Sequence, residues 1–118
     1  MKALVFDGKF GHLKKNIHNG FVVFCHFEPG DNLKTISKAG KKFKSLAKNN
    51  LILVPFAHLS EKSASKKEAK NLFEKLVEDC ENLKDKDLIV IPFGIEKEFF
   101  LYAPAKDSAI KFMMFQNI

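Results

Sequence analysis

The chain has 118 residues, enough for one hydrophobic core and too few for a second. A hydrophobic fraction of 46% suffices for a compact core, and no apolar run approaches the roughly 20 residues that cross a bilayer. The balance of 20 Lys and Arg against 14 Asp and Glu favours a polyanionic partner such as nucleic acid, although solvated lysine-rich helices give the same excess. Asp7 interrupts the apolar start too early for a signal peptide. We therefore expect one soluble, cytoplasmic domain over residues 1–118.

The first part of the chain predicts three strands. Residues 2–6 are apolar, a turn-like Asp7–Lys9 follows, and a weaker strand pattern covers 10–15. This order predicts an opening hairpin. The β-branched and aromatic run 21–27 lies between pairs of residues that contain Gly or Pro, which is typical of a buried, central strand.

A helix is predicted after these strands, with Asp31 as its N-cap. Gly40 weakens the pattern, because glycine is a poor helix former. The apolar positions at helical spacing are Leu33, Ile36, Ala39, Phe43, Leu46 and Ala47. The outward face carries Lys34, Lys38, Lys41, Lys42, Lys44 and Lys48, which we interpret mainly as solvated.

The second part of the chain predicts one further helix among strands. Ser65 and Glu68 have the spacing of a capping box, in which each side chain satisfies a free backbone N–H at a helix start. The apolar stripe of this helix is Ala69, Leu72, Phe73, Leu76, Val77, Cys80 and Leu83. Strands are predicted over residues 51–56, 88–93, 97–102 and 109–115.

The cysteines and histidines predict no metal site. Cys25 and Cys80 both fall in apolar patterns, so we expect reduced, buried thiols rather than a disulfide. His12, His18 and His26 with Cys25 lack zinc spacing, and adjacent strand residues point to opposite faces. We predict neither a metal nor a cofactor.

Two strands of the sequence end almost identically. Residues 51–56 read Leu-Ile-Leu-Val-Pro-Phe and residues 88–93 read Leu-Ile-Val-Ile-Pro-Phe, with one strong helix pattern between them. This arrangement predicts a βαβ unit whose parallel strands lie side by side or nearly so. Because open α/β sheets bind ligands at the carboxyl ends of their strands, Ala57–Ser60 and Gly94–Lys97 are expected to line one cleft.

The expected cleft would hold three ionisable groups and a hydroxyl, from His58, Ser60, Glu96 and Lys97. We interpret Ser60 as a helix-entry hydroxyl rather than a nucleophile, because no acid–base relay accompanies it. The alternative is structural: both Pro-Phe pairs would merely end their strands, with the phenylalanines packed under the helix.

The two strand-end motifs resemble a known family. Pro-Phe-Ala-His-Leu-Ser over 55–60 and Pro-Phe-Gly-x-x-Lys over 92–97 are similar to the archaeal-type editing domain of threonyl-tRNA synthetase. Residues 1–6 resemble its opening strand and 21–31 its second long strand and turn, so the likeness covers nearly the whole chain. The resemblance implies a single α/β domain with a mixed β-sheet and two principal helices, like D-aminoacyl-tRNA deacylase, and a homodimer.

The resemblance also implies a reaction, which is hydrolysis of the ester of L-serine wrongly attached to threonine tRNA. In the family, backbone groups of the first motif hold the serine, and this segment falls on Pro55, Phe56, Ala57 and His58. The family's catalytic lysine falls on Lys97. It helps to position the attacking water, with the 2′-hydroxyl of the terminal adenosine taking part. We assign Lys97 and His58 to the catalytic centre, His58 chiefly in a structural or binding role.

The second motif departs from the family, which often has aromatic residues between its glycine and lysine. Here Ile95 and Glu96 stand there, so the pocket wall formed by Gly94 and Glu96 is expected to differ. The family's later acidic residue corresponds to Asp107, which follows Pro104 over a shorter segment.

Physical chemistry supports the implied reaction and leaves two rivals. An aminoacyl ester is already activated, so an oriented water and a cation beside the developing oxyanion suffice without a triad or a metal. Rejecting threonine is harder, since an apolar slot discriminates one methylene by only about 1–3 kcal/mol. A non-catalytic module that recognises a tRNA end, favoured by Glu96, and a D-aminoacyl-tRNA deacylase remain alternatives. The expected partners are the 3′ end of tRNA(Thr), a second copy and a threonyl-tRNA synthetase, of which the chain is either a freestanding companion or a part.

Overall fold

Six strands and two helices are seen in a computed structural model, which describes residues 1–12, 17–57, 59–93, 99–104 and 110–117. Within those ranges, none of the helices has the length and apolar character that crossing a membrane requires. The elements are β1 (Lys2–His12), β2 (Ile17–His26), α1 (Leu33–Leu46), β3 (Leu51–Pro55), α2 (Lys66–Cys80), β4 (Leu88–Val90), β5 (Phe99–Tyr102) and β6 (Ile110–Met114).

The strands form one mixed sheet in the order β4-β3-β2-β1-β5, with β6 also paired to β1. The pairs β2–β3 and β3–β4 are parallel, and all pairs of β1 are antiparallel. The predicted βαβ unit is therefore confirmed, with β3 and β4 as direct neighbours. The mixed sheet with two helices is also confirmed.

Both helices pack on one face of the sheet. Their buried residues share an apolar cluster with alternate strand residues, among them Val23, Cys25 and Leu53. The opposite face carries a second apolar cluster that contains no helix residue and is built on Phe24, Ile52 and their neighbours. The sheet therefore separates two cores, as expected for strands with continuous apolar runs.

The predicted opening hairpin is wrong, because β1 continues straight through Asp7–Lys9. It pairs instead with β2, which begins at Ile17, so that Gly8 faces Gly20 across the ladder. A Cβ on Gly8 would lie 2.0 Å from the carbonyl oxygen of Tyr102. This glycine therefore serves a close backbone approach rather than a turn.

The helices also differ from the prediction in two details. The N-cap of α1 is Asn32, whose side chain accepts from the Thr35 N–H, and not Asp31. The Asp31 carboxylate instead accepts from the Glu28 N–H at 2.8 Å, so it is already engaged. Gly40 is buried where α2 crosses, with the position of its absent Cβ 3.5 Å from a Leu76 methyl. The predicted helix start at Ser65 is confirmed, since its hydroxyl accepts from the Glu68 N–H at 3.1 Å. The second half of the capping box is not formed as predicted, because the Glu68 carboxylate accepts from the Gly30 N–H at 3.4 Å.

The later strands are shorter than predicted. β4 ends at Val90, although the Ile91 N–H still donates to the Leu53 carbonyl at 3.0 Å. Pro92 has no N–H to continue this pairing. The predicted strands 97–102 and 109–115 are observed as Phe99–Tyr102 and Ile110–Met114, while residues 97, 98 and 109 lie outside the described ranges.

Candidate functional site

A cavity of about 260 Å³ opens where the strands β2 and β3 end. Its walls come from four stretches of chain: the end of β2, the end of β3, the start of α2 and the residues after β4. The lining residues are Cys25, Phe27, Pro55, Phe56, Ala57, Ser63, Ala64, Lys66, Ala69 and Phe93. The volume lies just below the roughly 300–1,000 Å³ typical of drug-sized ligand pockets.

Sheet register brings the two Pro-Phe pairs to this cavity. Pro55 lies beside Cys25, and both Phe56 and Phe93 line the cavity. The two strand ends thus meet at one cleft, as predicted from the duplicated hexapeptide. Of the segments expected to line it, Ala57 does so, Leu59 and Ser60 are not among the described lining residues, and residues 94–97 lie outside the described ranges.

The alternative interpretation places both phenylalanines under the helix, and this is observed for Phe93 only. The Phe93 ring packs on Phe73 of α2, with centroids 6.2 Å apart. The Phe56 ring instead packs on Phe24 at 5.4 Å, on the face of the sheet away from the helices. The two rings therefore reach the cleft from opposite sides of the sheet.

The connection between β3 and α2, residues 56–65, is tied to the end of β2 by backbone hydrogen bonds. The Phe56 N–H donates to the Cys25 carbonyl at 2.9 Å, and the Ala64 N–H donates to the Phe27 carbonyl at 3.0 Å. The Ser63 hydroxyl donates to the Ala57 carbonyl at 3.2 Å, which joins the two ends of the connection. Backbone that is irregular but bonded in this way can form a rigid wall.

The ring of His26 lies beneath the same connection. His26 is fully buried at the end of β2. Its Nε2 lies 2.9 Å from the Lys62 carbonyl oxygen, and its Nδ1 accepts from the Leu59 N–H at 3.4 Å. Both ring nitrogens of His26 therefore have backbone partners within the connection.

Ser60 is held outside the cavity by a charged group. Its hydroxyl donates to the Glu28 carboxylate at 3.3 Å and accepts from the Lys2 ammonium at 3.4 Å. Lys2 also forms an ion pair with Glu28. The interpretation of Ser60 as a helix-entry hydroxyl is wrong, because α2 begins after Ser65.

The Glu28 carboxylate forms ion pairs with two cationic groups. Besides Lys2, the N-terminal ammonium of Met1 lies 3.1 Å from its carboxylate and 2.9 Å from that of Asp31. Partial burial tends to raise the pKa of Glu28, but hydrogen bonds from Lys2 and the N-terminal ammonium outweigh it and lower the pKa below its ordinary value. The carboxylate therefore stays ionised beside the β3–α2 connection.

The cavity also contains residues that the sequence did not reveal. Lys66 is the charged residue among the described lining residues, in the first turn of α2. The capping box at Ser65 was the available signal, because it places that turn at the same edge of the sheet. Cys25 lines the cavity too, but burial raises the pKa of its thiol well above the ordinary value, so it is not an activated nucleophile.

Several predicted site residues cannot be placed. His58, Gly94, Glu96, Lys97 and Asp107 lie outside the described residues. Pro55, Phe56 and Ala57 are described and all line the cavity. In the described ranges, no three His, Cys, Asp or Glu side chains are grouped so as to hold a metal.

The architecture as a whole matches solved structures. The chain is similar to a protein named c-Myc DNA Unwinding Element Binding Protein, with a TM-score of 0.73 over 99% of this chain and 100% of that one. At 10% identity this likeness shows the fold alone. The domain has the D-aminoacyl-tRNA deacylase-like fold, with a cavity at the carboxyl ends of its parallel strands.

Sequence comparison defines the family within that class. The model of the archaea-specific editing domain of threonyl-tRNA synthetase matches residues 2–109, and the chain belongs to this family. A threonine–tRNA ligase of Staphylothermus marinus is 34% identical over 87 residues. The match covers 70% of this chain and 14% of that protein, so the chain corresponds to a small part of its relative.

Proposed function

We propose that this protein hydrolyses the ester bond of L-serine wrongly attached to tRNA(Thr). The observation that carries the proposal is the cavity at the strand ends, which is lined by Pro55, Phe56 and Ala57 of the family's first motif. Hydrolysis frees serine and leaves an intact tRNA for a new round of charging.

The cavity fits the task of measuring a side chain. Apart from Lys66 and Ser63, the described lining side chains are apolar, and Ala57 leaves room close to the backbone. A wall of backbone held by hydrogen bonds cannot yield easily to an added methyl group, whereas a slot of mobile side chains can. We infer that the tied connection 56–65 is what distinguishes serine from threonine.

The chemistry would come from the opposite side of the cavity. Phe93 lines the cavity, and the chain continues from it to Lys97, four residues later. In the proposed mechanism, the Lys97 ammonium positions water and stabilises the oxyanion that forms at the ester carbonyl, while the tRNA 2′-hydroxyl assists. His58 orients the bound amino acid.

The phosphates of the tRNA would be bound by the lysine-rich outer face of helix α1. Helix α1 contains several lysines and no acidic residue. With Lys75 of α2, a subset of them lines a shallow groove formed by Leu33, Lys34, Ser37, Lys38 and Lys41. Because phosphate contacts fix orientation without reading bases, this surface suits an acceptor stem of any sequence.

We also propose that two copies associate through β6. Ile110, Phe112 and Met114 share one face of this strand and are each about half exposed, at 54%, 51% and 59%. Among the described residues β6 pairs with β1 alone, so its other edge can pair with the same strand of a second copy. Sedimentation velocity with F112K, which should yield monomers, tests this interface. A wild type that sediments as a monomer would exclude it.

A deacylation series tests the proposed function. Purified protein is incubated with Ser-tRNA(Thr), Thr-tRNA(Thr) and a D-aminoacyl-tRNA, and release of the amino acid is followed for each. We expect release of L-serine, with threonine released far more slowly. Preferential release of the D-amino acid would make the protein a D-aminoacyl-tRNA deacylase, and no release of any would leave a tRNA-binding module.

A further inference from the structure

The ring of His26 forms hydrogen bonds to the backbone at two points of one loop. Its Nδ1 accepts from the N–H of Leu59, and its Nε2 lies 2.9 Å from the carbonyl oxygen of Lys62. A carbonyl oxygen only accepts, so the proton is on Nε2, and Nδ1 offers the lone pair that Leu59 needs. The geometry thus uses one ring nitrogen as a donor and the other as an acceptor.

These two contacts span the part of the β3–α2 connection that carries no regular structure. Leu59 follows His58 directly, and the connection returns to the cavity wall at Ser63. Between them, the partly buried amide of Leu59 lies outside any strand or helix. One side chain therefore supplies what a sheet ladder would supply elsewhere.

The ring of His26 lies on the face of β2 opposite to Cys25. Cys25 lines the cavity, and adjacent strand residues alternate between faces. His26 itself is not among the lining residues. Any effect it has on a bound amino acid must therefore pass through the loop.

We propose that His26 is a positioning residue, which fixes the loop from Ala57 to Ser63 and thereby sets the width of the amino-acid pocket. The proposal rests on the editing function proposed above. Ala57 and Ser63 both line the cavity and are joined by a hydrogen bond of 3.2 Å. Loss of the His26 contacts frees the loop between them, so the wall becomes able to accept a larger side chain.

The test compares H26L, H26N and H26Q with the wild type. Leucine fills the space and removes both contacts. The Asn oxygen takes the place of Nδ1, and the Gln amide group takes the place of Nε2, so each of these variants keeps one contact. H18L, on the same strand, is the matched control for replacing a histidine by leucine.

The decisive readout is the ratio of kcat/KM for Ser-tRNA(Thr) to that for Thr-tRNA(Thr), per folded protein. We expect this ratio to fall about 10-fold in H26L, which lies within the discrimination that a pocket achieves for one methyl group. In H26N and H26Q the ratio should recover in part. A residue that only stabilised the fold would lower the melting temperature and leave the ratio unchanged. If H26L does not fold, the ratios of H26N and H26Q decide.

Hydrogen exchange provides a readout that needs no tRNA. The Leu59 amide should lose protection in H26L, while the Ala64 amide, bonded to the Phe27 carbonyl, keeps it. An active wild type with an unchanged ratio in every folded His26 variant would overturn the positioning role. A wild type that hydrolyses neither ester would overturn the proposed function instead, and the exchange data would still report whether His26 holds the loop.

Discussion

The two Pro-Phe strand ends have almost the same sequence and differ greatly in structure. The first ends β3, a strand that is buried along its whole length between β2 and β4. The second follows β4, an edge strand of three residues, of which two are partly buried and Val90 is exposed. Near-identical hexapeptides thus give one end fixed from both sides and another supported from one side. Position in the sheet, rather than sequence, decides which end can act as a rigid wall.

This contrast matches the proposed division of labour. The end of β3 and its following connection carry four described hydrogen bonds to the end of β2, through Phe56, Ala64 and the two nitrogens of His26. Measuring a methyl group requires such rigidity. The segment after Phe93 leads to the residue proposed for catalysis.

The largest expected effect comes from the second strand end. K97M should lower deacylation of Ser-tRNA(Thr) about 100- to 1,000-fold, the usual cost of removing one group that stabilises an oxyanion. Binding of the tRNA should stay near the wild-type value, as measured by filter binding at fixed salt. An equal loss of binding and of hydrolysis would make Lys97 a phosphate contact.

The two hexapeptides can be compared directly through stability. Ile52 and Ile89 are paired neighbours at the same position of each, but Ile52 is fully buried and Ile89 only partly. I52A should lower the free energy of unfolding by about 3 kcal/mol, and I89A by about 1 kcal/mol. Urea denaturation of both variants measures the difference. Equal losses would contradict the rigidity assigned to the first end.

A smaller effect is expected at the cavity wall itself. A57V adds two methyl groups to a residue that lines the cavity, so kcat/KM for Ser-tRNA(Thr) should fall about 10-fold. S63A, which removes a hydroxyl from the same wall without adding volume, separates crowding from loss of the Ser63–Ala57 hydrogen bond. Full activity in A57V would place the amino acid elsewhere.

The smallest effect concerns the charges that support the first end. Because Lys2 and the N-terminal ammonium lower the pKa of Glu28, its pairing adds stability above the carboxyl's ordinary pKa of about 4.3 and loses it as pH falls through the lower, folded value. E28Q should therefore cost about 1 kcal/mol at pH 7, and this cost should disappear as the pH falls through the lowered pKa of Glu28. Thermal unfolding across that pH range measures it, with exposed E61Q as the control. A cost independent of pH would indicate lost packing instead.

Local patterns in the sequence predicted what depends on local physics. The continuous apolar runs of 51–56 and 88–93 predicted parallel neighbours, because a strand covered on both faces needs apolar residues on both. The capping box predicted the start of α2 because it satisfies N–H groups within one turn. Pro55 to Ala57 could be expected at the cleft because they lie at the carboxyl end of a predicted parallel strand, which is where open α/β sheets bind ligands.

Features that depend on distant chain could not be predicted. Gly8 looked like a turn residue, and only the carbonyl of Tyr102, far along the chain, explains why it lies within a strand. Asp31 looked like a cap, but the Met1 ammonium and the Glu28 N–H engage it. His26 had no motif at all, because its partners are backbone groups, which every sequence has.

The way β1 is shared has a consequence for how the molecule opens. One side of β1 is paired with β2 along ten residue pairs, while the other side is divided between the short strands β5 and β6. Because these short strands have few ladder hydrogen bonds, we expect their amides to exchange before those of β2 and β3. Every described lining residue of the cavity lies between Cys25 and Phe93. Fraying at the carboxyl-terminal strands can therefore proceed while the cavity wall that we propose to measure the amino acid stays closed.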